Sequence, residues 1–266
     1  MQALSPELYF ALTLAAKMAI TGIFLVVATV LAERSGPLVG GLVTTLPISA
    51  GPTYFFLAFD HSPQFLADGA LITLVFNAVN ALFALVYAVL AQKRSLAVSI
   101  GGALLVWVFS APVLPYLPWT LTSAILVNVI VILLSLRVTR DLRHTRAPRL
   151  SARWYELLMR AIGVALLVGF VVGLSFRIGP AASGMLATFP IVFSSVIVIM
   201  HRRAGGPATA AILANALLGM TGFGLACVAL HLAAVPLGAP IALALAIAAS
   251  IGWGLLIYAL RRRHIV

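Results

Sequence analysis

Long runs of apolar residues constrain this chain more than any other feature. Such runs occupy residues 8–32, 37–58, 66–91, 96–115, 119–137, 157–176, 180–200, 207–231 and 238–260. A helix of about 20 apolar residues crosses the hydrocarbon core of a bilayer. Because lipid offers the backbone no hydrogen bonds, a spanning segment must satisfy its own N–H and C=O groups. The runs therefore predict an all-α, polytopic membrane protein with about nine transmembrane helices.

The composition also indicates a lipid environment. Hydrophobic residues make up 63% of the 266 residues and charged residues 9%, whereas soluble domains average about 25% charged residues. The net charge is +11, but the Lys and Arg residues are concentrated in short loops between apolar runs. This distribution is typical of cytoplasmic loops of membrane proteins. We therefore expect the lipid bilayer as a partner and no nucleic acid.

The distribution of basic residues predicts the orientation in the membrane. They occur in every odd-numbered connection and in the C-terminal tail, as Arg34, Lys93 and Arg94, the arginines of residues 137–153, Arg202 and Arg203, and Arg261, Arg262 and Arg263. The even-numbered connections carry no basic residue except Arg177. The positive-inside rule then predicts an outside N-terminus and a cytoplasmic C-terminus in a bacterial inner membrane.

A motif at the start of the second apolar run returns later in the chain. Residues 36–48 read GPLVGGLVTTLPI and residues 179–191 read GPAASGMLATFPI, 143 positions further on. The same offset aligns Lys17 with Arg160. Because this gapless match includes two prolines, two glycines and a threonine, it indicates an internal duplication.

The spacing of the two copies predicts an inverted-topology repeat. One copy begins at the first span and the other at the sixth, so the second copy enters the membrane from the opposite side. We expect a first four-helix repeat over residues 1–118, a linker transmembrane helix over 119–137, a basic cytoplasmic loop over 138–156 and a second, inverted four-helix repeat over 157–266. Weaker similarity pairs Asn77 with Asn215 at an offset of 138, which predicts a shorter turn in the second copy.

Each copy of the motif places a proline inside a predicted span, as Thr45-x-Pro47 and as Thr188-x-Pro190. A proline within a helix removes one backbone hydrogen bond and frees the carbonyl four residues earlier. Broken helices at corresponding positions of two halves indicate the substrate site of a transporter, while an ordinary proline kink is the alternative. Thr45, Pro47, Thr188 and Pro190 are therefore candidate substrate-binding residues.

Four further polar residues are candidate substrate contacts. Lys17 and Arg160 lie within apolar runs, where a charge is costly unless it is paired or hydrated. All acidic residues lie near predicted span ends, so neither basic residue is expected to have a carboxylate partner. Both could attract an anion, or their side chains could extend to lipid headgroups. Asn77 and Asn215 could contact substrate or bond neighbouring helices.

The sequence contains no pattern that predicts catalysis or metal binding. The histidines lie near span ends without metal-ligand spacing, at His61, His144, His201, His231 and His264. We find no paired carboxylates, no nucleophile spaced next to a base and no phosphate-binding glycine loop. Cys227 is the single cysteine, so an intramolecular disulfide cannot form. We expect no enzyme activity, no cofactor and no metal.

The repeated unit resembles the GlpM-like small bacterial inner-membrane proteins. The resemblance lies in residues 41–47 (GLVTTLP) and 184–190 (GMLATFP), each in a four-helix unit with a basic residue in its first helix. It implies the four-helix architecture and no substrate, because the biochemical activity of that family is unknown. Its members are single units, whereas this chain fuses two units and adds a linker helix.

These observations predict a secondary transporter or flippase for a small solute, with anions as a candidate class, or for a lipid. The site would lie at the interface between the repeats, and alternating access would rock one repeat against the other. A transporter predicts a polar cavity between the second and seventh helices. The alternative is a non-transporting accessory protein of an envelope system, in which these helices pack dry. Substrate, coupling ion and oligomeric state are left open.

Overall fold

The computed structural model describes residues 5–34, 49–144 and 153–262. Within these ranges the chain is helical and contains no strand. Its helices are α1 (Pro6–Arg34), α2 (Ala50–Asp60), α3 (Pro63–Leu90), α4 (Leu96–Ser110), α5 (Leu121–Val138), α6 (Trp154–Ala187), α7 (Ile191–Ala204), α8 (Gly206–Leu237) and α9 (Ala239–Arg262). Short 3-10 helices follow α4 and α5, at Leu114–Tyr116 and Asp141–His144.

The apolar runs form helices, as predicted. In the described ranges, 7 helical segments are long and apolar enough to cross a membrane, which is the architecture of an all-α polytopic membrane protein. This count differs from the expected nine at two places. Residues 37–48 of the second expected span lie outside the described residues. The sixth and seventh expected spans form one apolar segment, Trp154–Ala204, that is interrupted along its length.

The outer surface of the bundle carries large apolar side chains. Phe59 and Phe109 are 72% exposed and Phe176 is 71% exposed. In water such a surface would promote aggregation, whereas in a bilayer it faces lipid chains. At the centre, α3 packs against α4, α5, α6 and α8 and is buried along most of its length. The Ser62 side chain caps α3 by accepting a hydrogen bond from the Phe65 N–H.

Helices α3 and α8 run antiparallel and form an extensive interface. Near the start of α3, the Ala67 carbonyl oxygen lies 2.8 Å from Nδ1 of His231 in the last third of α8. At the other end, Gly206 at the start of α8 lies against Ala91, just after α3. A Cβ on Gly206 would lie 2.1 Å from the Ala91 carbonyl oxygen. The absence of a side chain therefore allows this close approach of the two backbones.

The starts of these helices keep the offset of the repeated motif. Helix α8 begins at Gly206 and α3 at Pro63, and the same offset separates the starts of α9 and α4. At the crossing, Asn77 Nδ2 donates a 2.9 Å hydrogen bond to the carbonyl of Met220, which lies 143 positions later. The helix starts do not show the offset of 138 that the alignment of Asn77 with Asn215 predicts.

Helices α1 and α6 also pack antiparallel. A Cβ on Gly169 of α6 would lie 2.5 Å from the Met18 sulfur of α1, and a Cβ on Gly173 would lie 3.3 Å from the Leu14 side chain. Later residues of α6 thus face earlier residues of α1. As in the α3–α8 interface, glycines bring the helices together where lipid supplies no hydrophobic force between them.

Other helix contacts occur in matching pairs. Helix α3 packs on α4 as α8 packs on α9, and α2 packs on α3 as α7 packs on α8. Helix α2 also contacts α9, while α7 contacts α4. Exchanging α2, α3 and α4 for α7, α8 and α9 therefore leaves this set of contacts unchanged.

Candidate functional site

The apolar segment Trp154–Ala204 is interrupted twice. Gly179 has φ 75°, which is favourable for glycine and strained for other residues, and Pro180 follows it. Helix α6 ends at Ala187, and Pro190 is the N-cap of α7. The carbonyl of Leu186, which Pro190 cannot bond, accepts a 3.0 Å hydrogen bond from the Phe189 N–H instead. The Thr188-x-Pro190 motif thus interrupts the helix, and the interruption at Gly179 lies where the sequence predicts the connection between the sixth and seventh spans.

The helices that adjoin the motif are short. Helix α7 has 14 residues, about 21 Å at 1.5 Å per residue, and α2 has 11 residues, about 16 Å. Neither can cross a hydrocarbon core of about 30 Å. If the basic end of α7 lies at the interface, its N-terminus at Pro190 lies within the bilayer.

A polar stripe on α3 contacts the interruption before α7. Thr73, Asn77 and Asn80 follow an i, i+4, i+7 spacing, which places them on one face of the helix. Thr73 Oγ1 donates a 2.9 Å hydrogen bond to the Gly184 carbonyl. Asn80 Nδ2 donates a 2.7 Å hydrogen bond to the Thr188 carbonyl. The side chains of α3 thus bind backbone carbonyls at the end of α6.

The contact between α3 and α6 is also close at the backbone level. A Cβ on Gly184 would lie 2.2 Å from the Gly69 carbonyl oxygen, so a glycine is needed here. The Tyr54 hydroxyl of α2 lies 2.6 Å from Thr73 Oγ1. Because the Thr73 hydroxyl donates to Gly184, it accepts from Tyr54. A chain of hydrogen bonds therefore joins α2, α3 and α6.

Several polar atoms on the α3 stripe and at the end of α6 have unused hydrogen-bonding capacity. Oδ1 of Asn77, Oδ1 of Asn80 and the Ser183 hydroxyl are buried and have no hydrogen-bond partner among the described residues. A buried polar atom without a partner costs about 1–3 kcal/mol. The two amide oxygens can accept hydrogen bonds or contact a cation, and the hydroxyl can also donate. These atoms are the best candidates for ligand contacts in the described part of the chain.

The predicted site residues are only partly brought together. Thr188 and Pro190 are buried at the interruption, and the Thr188 hydroxyl donates a 2.7 Å hydrogen bond to the Met185 carbonyl. Asn77 lies on the same stripe as Asn80. Thr45 and Pro47 lie outside the described residues.

The other three predicted residues lie apart from this group. Asn215 is exposed, and its Nδ2 donates a 2.9 Å hydrogen bond to the Ala211 carbonyl of its own helix. Arg160 lies near the start of α6. Lys17 Nζ lies 2.5 Å from Asp60 Oδ2. The expectation that Lys17 has no acidic partner was wrong, because α2 ends at Asp60 beside the Lys17 side chain.

Thr73 is not among the predicted site residues, and the sequence marks Asn80 only as a buried polar residue within a span. Their spacing with Asn77 on one helix face was the available signal, because such spacing places polar side chains on a common stripe. The partners of that stripe are backbone carbonyls on a distant part of the chain. No residue type in the sequence marks those partners.

A cavity of about 440 Å³ lies between α1, α2, α8 and α9. Among the side chains that line it, only Thr21, Tyr54 and Cys227 carry a polar or sulfur atom. The transport hypothesis expected a polar cavity between the second and seventh spans. Residues 37–48 of the second span lie outside the described residues, and the cavity between α1, α2, α8 and α9 is a separate, apolar one.

Comparisons of this chain with protein-family models, curated proteins and solved structures find no match.

Proposed function

We propose that this protein is a secondary transporter or flippase for a small solute or a lipid, built from two inverted halves. Helices α1 to α4 would form one half, α5 the linker, and α6 to α9 the other. The antiparallel packing of α3 on α8 and of α1 on α6 supports this arrangement. In an inverted repeat, helices beside the symmetry axis pack against their own counterparts in the opposite direction.

The register of the α3–α8 interface gives the proposal further support. Asn77 bonds the residue that lies 143 positions later, which is the offset of the repeated motif. Only at a twofold axis does a residue of one repeat meet its own counterpart in the other. The paired contacts of α2, α3 and α4 with their equivalents are what such an axis would produce.

One observation carries the transport proposal, namely the hydrogen bond from Asn80 to the interrupted backbone at Thr188. Interrupted helices expose backbone groups that can bind substrates and coupling ions within the membrane. The Asn80 side chain holds one such carbonyl while its own oxygen has no partner among the described residues. Pro190 is buried at the N-terminus of α7, where the helix dipole favours negative charge.

Alternating access would move one half against the other around this interruption. The proposed location is a bacterial inner membrane, with an outside N-terminus and a cytoplasmic C-terminus, as the basic loops favour. Thr188, Pro190 and Asn77, together with Asn80, would contact the substrate. Thr45 and Pro47 would contribute from the first half.

Reconstituted liposomes test the transport proposal. Two assays are needed: dithionite quenching of fluorescent phosphatidylglycerol for lipid translocation, and uptake of labelled phosphate, sulfate and lactate for anions. The wild-type protein is expected to be active in at least one assay, and Asn80→Leu and Thr188→Val should reduce that activity. Asn215→Ala is the matched control, because Asn215 is exposed and its Nδ2 bonds the carbonyls of Ala211 and Arg143 rather than the interruption.

One observation favours the alternative of a non-transporting accessory protein. The backbones of Gly69 and Gly184 are in direct contact, so part of the interruption is packed dry. Folded wild-type protein that is inactive in every assay would support this alternative. Activity that is equal in wild type, Asn80→Leu and Thr188→Val would instead reject the site assignment.

A further inference from the structure

We propose that the cavity between α1, α2, α8 and α9 binds one acyl chain of a phospholipid whose phosphate lies at Lys17. The inference rests on the proposed function in one respect, because it takes a lipid as the transported substrate. Binding of the acyl chain does not itself require transport. The lining, the opening, the charged end and the comparison of the two halves each support the assignment.

The lining of the cavity excludes a polar solute. The Thr21 hydroxyl donates a 2.8 Å hydrogen bond to the Lys17 carbonyl, and the Tyr54 hydroxyl donates to Thr73. The thiol of Cys227 is a weak hydrogen-bonding group. A polar solute would lose its water here without finding replacement bonds, which is costly. A hydrocarbon chain incurs no such cost.

The cavity is open toward the lipid-facing surface. Ile20, Phe55 and Ile247 line it and are 54%, 50% and 49% exposed. At the opposite side, Ala226 and Leu230 of α8 are only 3% and 4% exposed. A volume of 440 Å³ falls within the range of about 300–1,000 Å³ for ligand pockets. A lipid chain can therefore enter from the bilayer and reach the buried face of α8.

Lys17 provides a charged group beside this apolar space. The ring of Phe56 lines the cavity, and its centroid lies 6.0 Å from Lys17 Nζ. Thr21, which also lines the cavity, lies one helical turn from Lys17. The side chains of Lys17 and Asp60 are 20% and 25% exposed, so a phosphate that reaches the ammonium would share it with the Asp60 carboxylate. Such a charge-assisted hydrogen bond is stronger than a neutral one.

The comparison of α3 with α8 indicates why a cavity forms beside α8. On α3, Asn80 bonds Thr188 and the Tyr87 hydroxyl lies 2.7 Å from Nδ1 of His201 on α7. The positions on α8 at the offset of 143 are Phe223 and Leu230, and both line the cavity. Helix α8 thus presents apolar side chains toward α2 where α3 presents polar groups toward α7.

Photolabelling of the full chain in liposomes tests the proposal. The probe is phosphatidylglycerol with a diazirine on its acyl chain, and mass spectrometry measures labelling of the buried residues Ala226, Cys227 and Leu230. Ala246→Phe fills the cavity and is expected to reduce this labelling about tenfold, a loss of about 1.4 kcal/mol. Ala248→Phe is the matched control, because Ala248 is exposed on the same helix and does not line the cavity. Ala226→Leu is a milder obstruction if Ala246→Phe does not fold.

Equal labelling of these residues in folded wild-type and cavity-filled protein would overturn the assignment of an acyl chain to this cavity. The double variant Lys17→Met with Asp60→Asn tests the headgroup and is expected to weaken labelling. Unchanged labelling would overturn the position of the phosphate. Labelling without translocation would reject transport alone, and translocation without labelling would reject this cavity as the lipid site.

Discussion

Asp60 and Arg203 lie at the ends of the short helices α2 and α7, are separated by the offset of the repeated motif, and carry opposite charges. Asp60 pairs with Lys17 of α1. Arg203 Nη1 lies 2.8 and 2.9 Å from the two carboxylate oxygens of Glu156 on α6. Each ion pair therefore links a short helix to a long helix that precedes it in the chain, α2 to α1 and α7 to α6. Asp60 and Arg203 precede the starts of α3 and α8, which are antiparallel, so the pairs lie toward opposite ends of the bundle.

These ion pairs differ in burial, which predicts different sensitivities to mutation. The Glu156 side chain is 5% exposed, whereas that of Asp60 is 25% exposed and more easily hydrated. Glu156→Gln should lower the free energy of unfolding by about 3 kcal/mol, and Asp60→Asn should have a smaller effect. Thermal unfolding in detergent measures both.

The exchanged pair Lys17→Asp with Asp60→Lys should recover most of the stability lost in Lys17→Asp. Additive losses of stability from the two substitutions in the double variant would contradict the pairing.

Gly184→Ala tests the close contact between α3 and α6. The added Cβ would lie 2.2 Å from the Gly69 carbonyl oxygen, so the helices must separate and weaken the bond from Thr73 to Gly184. We expect a loss of about 1–3 kcal/mol, seen as a lower unfolding temperature. Gly101→Ala in α4 is the control, since its Cβ meets no atom within 4 Å. Equal unfolding temperatures of the two variants would show that the contact is not tight.

The connection between α2 and α3 contains a histidine that should make stability depend on pH. Partial burial lowers the pKa of His61, the Asp60 charge opposes this, and the Lys17 charge reinforces it. The ring stacks on Phe65 at 3.8 Å, and Nε2 lies 2.7 Å from the Ser175 hydroxyl. The lowered pKa means that the unfolded chain binds this proton more readily than the folded protein.

The contribution of His61 to stability should therefore be present above the ordinary histidine pKa of about 6.5. It should be lost as pH falls through that value toward the lower pKa of the folded protein. We expect the unfolding temperature of wild type to fall over this window, and His61→Gln to fall less. Unfolding measured in detergent between neutral and mildly acidic pH checks this. Parallel pH profiles for wild type and His61→Gln would contradict the account.

Much of the fold could be predicted, because the feature that determines it is local. An apolar run of spanning length has few options other than a helix, and the structure confirms helices throughout the described ranges. The Thr188-x-Pro190 motif marked an interruption because proline lacks a backbone donor. The Gly179-Pro180 pair also indicates an interruption, although the sequence alone predicts there a boundary between two separate spans.

The contacts that form the candidate site could not be predicted in the same way. Asn80 and Thr188 are 108 positions apart, and their partnership depends on how α3 packs against α6. Lys17 and Asp60 are likewise joined only by the tertiary arrangement. The predicted position of Asp60 at a span end is correct. The sequence does not show that the end of the short helix α2 meets the side of the long helix α1.

Cysteine accessibility tests the inverted arrangement most directly. Gln64 and Pro207 are exposed, lie at the starts of α3 and α8 and are related by the offset of the repeat. In a Cys227→Ala background, Gln64→Cys should react with a membrane-impermeant maleimide in intact cells, whereas Pro207→Cys should react only once the cytoplasmic face is opened. Reaction of both cysteines from the same side of the membrane would contradict the central claim that the two halves are inverted.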